Sequence, residues 1–350
     1  ELELCGVKEG EKVAVLSELG QARDYATASM LAARALGAQV FNVNLLPTTG
    51  LSAEEKTGNV GRTALAGNRT AIEALKRADL VIDLMFLLFS KEQLEIQAAG
   101  TRILLIAEPF EVLVRLFPSQ ELRERVEAGA ARLAKAKQLR FTNPAGTDVT
   151  YELGQYPVLT EYGFTDTPGR WDHWPGGFLA TQSNDTGVHG RVVMDRGDIL
   201  FPFKKYVQEP IEFTIRDGKI VDIKGGLDAM LVREHMASFR DPRAYAVSHI
   251  GWGLNHLARW DYLATGLPTI GMDGRAFYGN VLFSTGPNTE LGGTNDTACH
   301  LDLPMKGCTL SLNDELIVKD GEVVPQDMQA PGYYGRRGAG LVMGGRTLPL

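Results

Sequence analysis

Apolar and polar positions follow two different rhythms along this chain, and the change falls near residue 145. In the first part, short apolar runs alternate with stretches of helical spacing. KVAVLSE (12–18), QVFNVNL (39–45), LVIDLM (80–85) and RILLIAE (102–108) read as strands. Between them, ARDYATASMLAARALGA (22–38), TAIEALKRAD (70–79) and KEQLEIQAAG (91–100) read as helices. SQELRERVEAGAARLAKAKQ (119–138) adds a long amphipathic helix. Ser119 stands as its N-cap, and Glu121 and Glu124 follow where the helix dipole favours carboxylates. Strand and helix in alternation predict a parallel sheet with helices on both faces. No GxGxxG follows the first strand and no GxxxxGK[ST] occurs, so neither a dinucleotide site nor a P-loop is expected.

Beyond residue 145, Gly and Pro become dense and the period shortens to two. IEFTIRDGKIVDIKGG (211–226) is an alternating run broken by Asp217-Gly218, the turn pair that closes a tight hairpin. ELIVKDGEVV (315–324) repeats the device around Asp320-Gly321, and RVVMDRGDILFP (191–202) reads as a further strand pair. Helical spacing survives at 227–238 and 254–265. The pattern predicts an α/β N-terminal domain with a parallel sheet (1–145). A second, α+β C-terminal domain built on antiparallel sheet follows (146–350).

Composition narrows the function classes. A net charge of −7 with no basic stripe argues against nucleic acid as a partner. No apolar run is long enough to span a bilayer, so no membrane association is expected. Three cysteines (Cys5, Cys299, Cys308) give neither a disulfide framework nor CxxC spacing, which fits a reducing cytoplasm. The start ELELCGVKEG lacks the basic and apolar regions of a signal peptide. It also lacks Met, so a few leading residues are expected to be missing.

All six histidines lie beyond residue 145, at 173, 189, 235, 249, 256 and 300. Histidine is the commonest metal ligand and the usual acid or base near neutrality, so the chemistry is expected there. In TACHLDLP (297–304), His300 and Asp302 stand two apart in a strand-like run and so share a face. That pair is either the solvated face of an edge strand or two ligands to one ion. SHIGWGLNHLARW (248–260) offers His249, in a glycine-bearing loop-like run, and His256, inside the helical pattern. The loop histidine is the better placed third ligand. Two histidines and a carboxylate on one face form the facial triad of non-haem Fe(II) oxygenases.

Two further stretches stand out. LTEYGFTDTPGRWDHWPGGF (159–178) reads as a long irregular loop. Its Trp171, Trp174 and Phe178 either wall a flat ligand while His173 and Glu161 exchange protons with it, or cap the core. GRAFYGNVLFSTGPNTELGGTND (274–296) is rich in glycine and small polar residues. There Arg275 is suited to an anionic oxygen, and Ser284 and Thr285 are candidate donors; the alternative for each is a turn or surface role. Cys299 reads best as a buried, inert thiol.

Taken together, GQYPVLTEYGF, GRWDHWPGGF, SHIGWGL, RAFYGN, LFSTGPNTE and CHLDLP resemble, in order, the 2,5-dihydroxypyridine 5,6-dioxygenase family. The resemblance begins in the first domain, at LAGNRTAIEALKRADLVIDLM and GTRILLIAEP, and runs nearly to the C-terminus. It implies an aminopeptidase T-like fold and one Fe(II) held by His249, His300 and Asp302. His173 is implied as the acid/base histidine with Glu161 beside it, and Arg275 and Ser284 as substrate-touching residues. The implied partners are a small aromatic N-heterocycle and O2, in extradiol-type ring cleavage that turns 2,5-dihydroxypyridine into N-formylmaleamate. A homo-oligomer is expected.

One departure stands out. Where the family pattern leads us to expect histidine in an LLHS-like run, this chain has Phe89 in LLFS. Either His173 suffices for proton transfer or the substrate differs. The rival class is a metallo-aminopeptidase of the aminopeptidase T type. It requires two metals about 3.5–4 Å apart and more converging carboxylates than the matched runs offer. A metal-binding scaffold without catalysis is the third reading.

Overall fold

The computed structural model describes residues 1–47, 56–331, 341–343 and 346–348. The chain opens with β1 (Lys12–Glu18), α1 (Arg23–Ala35), β2 (Gln39–Leu45), α2 (Arg69–Leu75), β3 (Leu80–Asp83), α3 (Lys91–Ala98) and β4 (Arg102–Ile106). Two helices follow, α4 (Phe110–Arg115) and α5 (Gln120–Leu133). Then come β5 (Gln138–Thr142), β6 (Asp148–Glu152), β7 (Leu159–Glu161), β8 (Trp171–Trp174), β9 (Phe178–Thr181) and β10 (Val188–Met194). Short strands β11 (Ile199–Leu200) and β12 (Lys205–Tyr206) precede β13 (Ile211–Arg216), β14 (Lys219–Gly225) and α6 (Leu227–Ser238). The last part holds β15 (Val247–Gly253), α7 (Met272–Arg275), β16 (Val281–Thr285), β17 (Leu301–Met305), β18 (Thr309–Leu312), β19 (Glu315–Lys319) and β20 (Glu322–Val323).

The predicted parallel sheet is present, in the order β2-β1-β3-β4-β8. Period two decides which side chains meet which helix. Val13 and Val15 share a core with Ala26 and Ala33 of α1, whereas Ala14 and Leu16 pack with Ile72 of α2 and Ile96 of α3. Helices therefore cover both faces. As expected, Ser119 caps α5, its hydroxyl accepting from Leu122 N at 3.2 Å.

Antiparallel pairing builds the rest. One sheet runs β14-β13-β10-β6-β5-β18-β19-β20 and another β17-β16-β15-β9-β7. Both Asp-Gly pairs make the expected turns, with Asp217, Gly218, Asp320 and Gly321 all at positive φ. The pairings cross residue 145 in both directions: Trp171–Trp174 extends the parallel sheet, and Gln138–Thr142 belongs to the eight-stranded one. Among the described residues, no helix is long and apolar enough to cross a membrane.

Three local expectations are corrected. Residues 191–202 do not form a strand pair: β10 pairs with β6 and β13, while Ile199–Leu200 pairs with Lys205–Tyr206. The Asp198 carboxylate ties the intervening turn to Asp195 N (2.8 Å) and to Lys306 N (3.0 Å), which draws β11 toward β17. Residues 254–265 form no α-helix. The Asn255 side chain competes with the helix ladder, donating to Gly176 O at 2.9 Å and accepting from Leu257 N at 3.1 Å, and only Trp260–Thr265 coils, as 3-10 helix. The stretch 159–178 is not wholly irregular, because it contains β7 and β8.

Three buried carboxylates pin neighbouring main chain: Asp83 and Glu108 at the C-terminal ends of β3 and β4, and Asp172 within β8. Asp83 accepts from Met85 N (2.9 Å) and Leu87 N (2.7 Å). Glu108 accepts from Thr269 Oγ1 (2.6 Å) and from the main-chain N–H of Ile270, Gly271 and Met272 at 3.1, 2.9 and 2.7 Å. Asp172 accepts from the N–H of Tyr162, Gly163 and His173 at 3.2, 2.9 and 2.7 Å. Open α/β sheets bind ligands beyond the carboxyl ends of their strands, and the loops held by Asp83 and Glu108 line the cavity described next.

Candidate metal centre and active-site cavity

Three neighbouring strands bring the triad together. β16 lies between β15 and β17, with Ser284 opposite Asp302. His249 lies on β15, not in a loop as the glycines near it suggested. The register of β15 against β16 shifts between Val247 and Ile250, the kind of bulge that re-aims a side chain. His256, outside any helix, is remote from this set and meets Arg125 at 3.3 Å.

The Nε2 atoms of His249 and His300 each lie 3.2 Å from Oδ1 of Asp302, and all three side chains are buried. Their ligand atoms fall within 4.8 Å of one another. The other atoms of the set are engaged. His300 Nδ1 donates to Thr285 O at 3.0 Å, and Asp302 Oδ2 accepts from Arg275 Nε at 2.6 Å. Oδ1 itself is buried without a hydrogen bond of good geometry. Burial opposes ionisation of Asp302, yet His300 and Arg275 hold its carboxyl well below the usual range. Two imidazole lone pairs and a carboxylate oxygen facing one another make a donor set that fits a cation.

These atoms open on a cavity with about 620 Å3 of atom-free space, including its mouth. Phe86, Phe89, Trp171 and Phe178 supply aromatic walls; Leu105, Ile270, Met272 and Leu282 supply aliphatic ones. Both halves of the chain contribute. Polar groups are few and converge, as in small-molecule sites. His173 is buried with Nε2 unpartnered; burial, then the Arg275 charge, push its pKa down to about 3, so the ring is neutral at pH 7. Glu161 is pushed up to about 8 by burial, then by the Asp172 and Asp302 charges, so its carboxyl is mostly protonated at pH 7.

Of the residues singled out in the sequence, His173, Glu161, Arg275, His249, His300 and Asp302 share this cavity. Ser284 does not line it. Its hydroxyl donates to His249 O at 2.6 Å, which places it behind His249 rather than against the cavity. Trp174 is also outside, donating to Leu113 O at 3.2 Å and packing on Phe117. Cys299 is buried and its thiol pushed up to about 12 by burial. Phe89 occupies the wall, its ring 4.8 Å from that of His300. Sequence reading missed Glu290 and Glu108. A lone glutamate in a glycine-rich polar run looks solvated, and Glu108 sits at the end of an apolar strand with nothing local to mark its partners.

Two histidines with one carboxylate, lining an apolar cavity on an α/β scaffold, form the donor arrangement of the non-haem metal oxygenases. The sequence model of the 2,5-dihydroxypyridine 5,6-dioxygenase family matches residues 1–325. A 2,5-dihydroxypyridine 5,6-dioxygenase of Pseudomonas putida KT2440 is 46% identical over 334 residues, 94% of this chain and 95% of that one. The solved structure of the 2,5-dihydroxypyridine dioxygenase from the same strain superposes with a TM-score of 0.90 over 94% of this chain and 96% of that one, at 46% identity. The chain belongs to the 2,5-dihydroxypyridine 5,6-dioxygenase family, and it is an enzyme, an oxidoreductase of the dioxygenase type. AmpT from Thermus thermophilus shares the fold at a TM-score of 0.58 and 14% identity, covering 92% of this chain and 98% of that one.

Proposed function

We propose that this enzyme uses Fe(II) held by His249, His300 and Asp302 to cleave the ring of 2,5-dihydroxypyridine, or a close hydroxypyridine, with O2. The product of 2,5-dihydroxypyridine is N-formylmaleamate, which takes up both oxygen atoms. The observation that carries this reading is the approach of both histidine Nε2 atoms to one Asp302 oxygen, 3.2 Å from each, at an aromatic-walled cavity. Bound Fe(II) supplies the one-electron chemistry by which O2 and an electron-rich ring can react.

The protein's own groups do the rest. Phe178 and Trp171, both lining the cavity, offer apolar surface to a flat ring and keep water away from it. Neutral His173, with Nε2 free, accepts a proton from a substrate hydroxyl. Protonated Glu161 donates a hydrogen bond that orients a substrate oxygen and keeps its own proton, while His173 returns the proton it took as the ring opens. Arg275 adds positive charge beside Asp302, where a hydroxypyridine oxygen gains negative charge. Residues 1–145 serve mainly as scaffold and 146–350 carry the metal; the end of that second segment lies partly outside the described residues. A cytoplasmic homo-oligomer completes the reading, and light scattering on the purified protein tests the assembly.

The decisive experiment is anaerobic reconstitution with Fe(II), followed by O2 uptake against a panel of hydroxypyridines. We expect one O2 consumed per ring opened, and loss of both iron and uptake in His300→Ala. Full activity in that variant, or no uptake with any hydroxypyridine, overturns the proposal. The peptidase reading draws no support from the AmpT likeness, which at 14% identity concerns the fold alone.

A further inference from the structure

We infer that Glu290 is a positioning residue for the metal centre: its buried carboxylate accepts the Nδ1 proton of His249 and fixes the ring with Nε2 toward Asp302 and His300. This rests on the reading of His249 as a ligand. A neutral imidazole that binds a cation through Nε2 carries its proton on Nδ1, and a buried N–H needs an acceptor. His300 has one, the carbonyl of Thr285 at 3.0 Å. His249 has none in hydrogen-bond range, but Glu290 Oε1 lies 3.9 Å from its Nδ1.

Glu290 is placed for this task. Its side chain is 7% exposed, and Gln182 Nε2 holds Oε1 from the other side at 2.8 Å. Oε2 is buried and has no partner at all, so the carboxylate keeps accepting capacity beside the cavity it helps to line. The contact exceeds the hydrogen-bond range by about 0.7 Å, a gap that a small rotation of either side chain closes. The backbone beneath is firm: Thr289–Leu291 forms a 3-10 turn, and Asn288 accepts from Gly293 N at 2.9 Å and Asn295 N at 2.8 Å.

The connection from β16 to β17 thus provides for both histidines. It begins beside Thr285, which serves His300, and carries Glu290, which serves His249. The acceptors differ in kind. A carboxylate makes its imidazole more basic than a carbonyl does, so His249 becomes the stronger donor to the metal.

The test uses Fe(II)-loaded full-length protein under anaerobic conditions, with wild type, Glu290→Gln, Glu290→Ala and His300→Ala in parallel. Iron affinity is read by competition with a coloured ferrous chelator, and the unfolding temperature of each metal-free protein is read alongside. We expect Glu290→Ala to lose about 10–100-fold in Fe(II) affinity, with Glu290→Gln between it and wild type because an amide oxygen still accepts. The metal-free unfolding temperatures of the Glu290 variants stay close to wild type. Cobalt-loaded Glu290→Gln shows shifted visible bands. Wild-type iron affinity in both Glu290 variants, with iron lost from His300→Ala, overturns the Glu290 assignment alone. Iron retained by His300→Ala overturns the metal reading itself, and this inference with it.

Discussion

Arg275 donates its Nε–H to Oδ2 of Asp302 at 2.6 Å, which leaves Oδ1 as the oxygen that faces His249 and His300. The guanidinium is itself fixed, bonded to the Ile270 carbonyl and lying 4.3 Å from the centre of the Phe201 ring. A planar, multiply bonded guanidinium is not replaced by an ammonium. Arg275→Lys should therefore let the Asp302 carboxylate rotate and weaken Fe(II) binding by about 10-fold or more. Chelator competition measures this; unchanged affinity would mean that Asp302 is oriented by the strand alone.

Phe89 packs against His300 with ring planes tilted by 52°, and its backbone φ of 65° lies in the left-handed region. An apolar ring stands where the family pattern suggests an imidazole. A wall without donor or acceptor cannot favour a substrate oxygen placed against it, whereas a polar wall discriminates steeply. Phe89→His is tolerated by the backbone, since histidine enters this region more readily than most residues. We expect it to change the ratio of kcat/KM between 2,5-dihydroxypyridine and a less polar hydroxypyridine by about tenfold or more in favour of the former. Steady-state O2 uptake with the two compounds decides it.

The sequence was most legible where local chemistry settles local structure. Alternating periods located β1 to β4, Asp-Gly pairs located two hairpins, and Ser119 marked the start of α5. It was least legible where tertiary contact overrides local preference. Gly251 and Gly253 suggested a loop around His249. Added Cβ atoms there would meet Leu179 O at 2.0 Å and Phe277 O at 2.3 Å, so these glycines serve close strand approach. Ser284 was read as a pocket donor because a strand hydroxyl gives no sign of the carbonyl it will reach. Glu161 and His173 were found on one cavity wall, but their opposite pKa displacements come from burial, which no spacing reveals.

Glu108 offers the clearest structural test. Its fully buried carboxylate accepts from one hydroxyl and three main-chain N–H groups across the 269–272 segment, which carries Ile270 and Met272 into the cavity. Glu108→Ala strands the buried donors of Thr269, Ile270 and Met272, while Gly271 N keeps Thr269 Oγ1 at 2.9 Å; each stranded donor costs about 1–3 kcal/mol. Even with partial relaxation, we expect a loss of about 3 kcal/mol or more, seen as a lower urea midpoint. Reduced kcat/KM should accompany it, because α7 and Arg275 lose their anchor. A midpoint equal to wild type would show that water or relaxation satisfies the segment.

Glu161 and His173 give opposite pH signatures. Glu161 stays protonated in the folded protein up to about 8, against an ordinary value of 4.5. As a hydrogen-bond donor it should impose a fall in kcat/KM above pH 8, and Glu161→Gln should lack that limb. In the folding equilibrium, between pH 4.5 and 8 the native state holds a proton that the unfolded chain has released. Its stabilising contribution is therefore full below 4.5 and is lost as pH rises through 8. His173 runs the other way: its native value near 3 lies below the ordinary 6.5, so its contribution is present above 6.5 and is lost as pH falls toward 3. Urea unfolding of wild type and Glu161→Gln at pH 5 and pH 8 separates the two effects. The variant, which has no proton to lose, should gain on wild type as pH rises. A stability difference independent of pH over that interval would mean that Glu161 is already ionised in the folded enzyme and cannot be the donor.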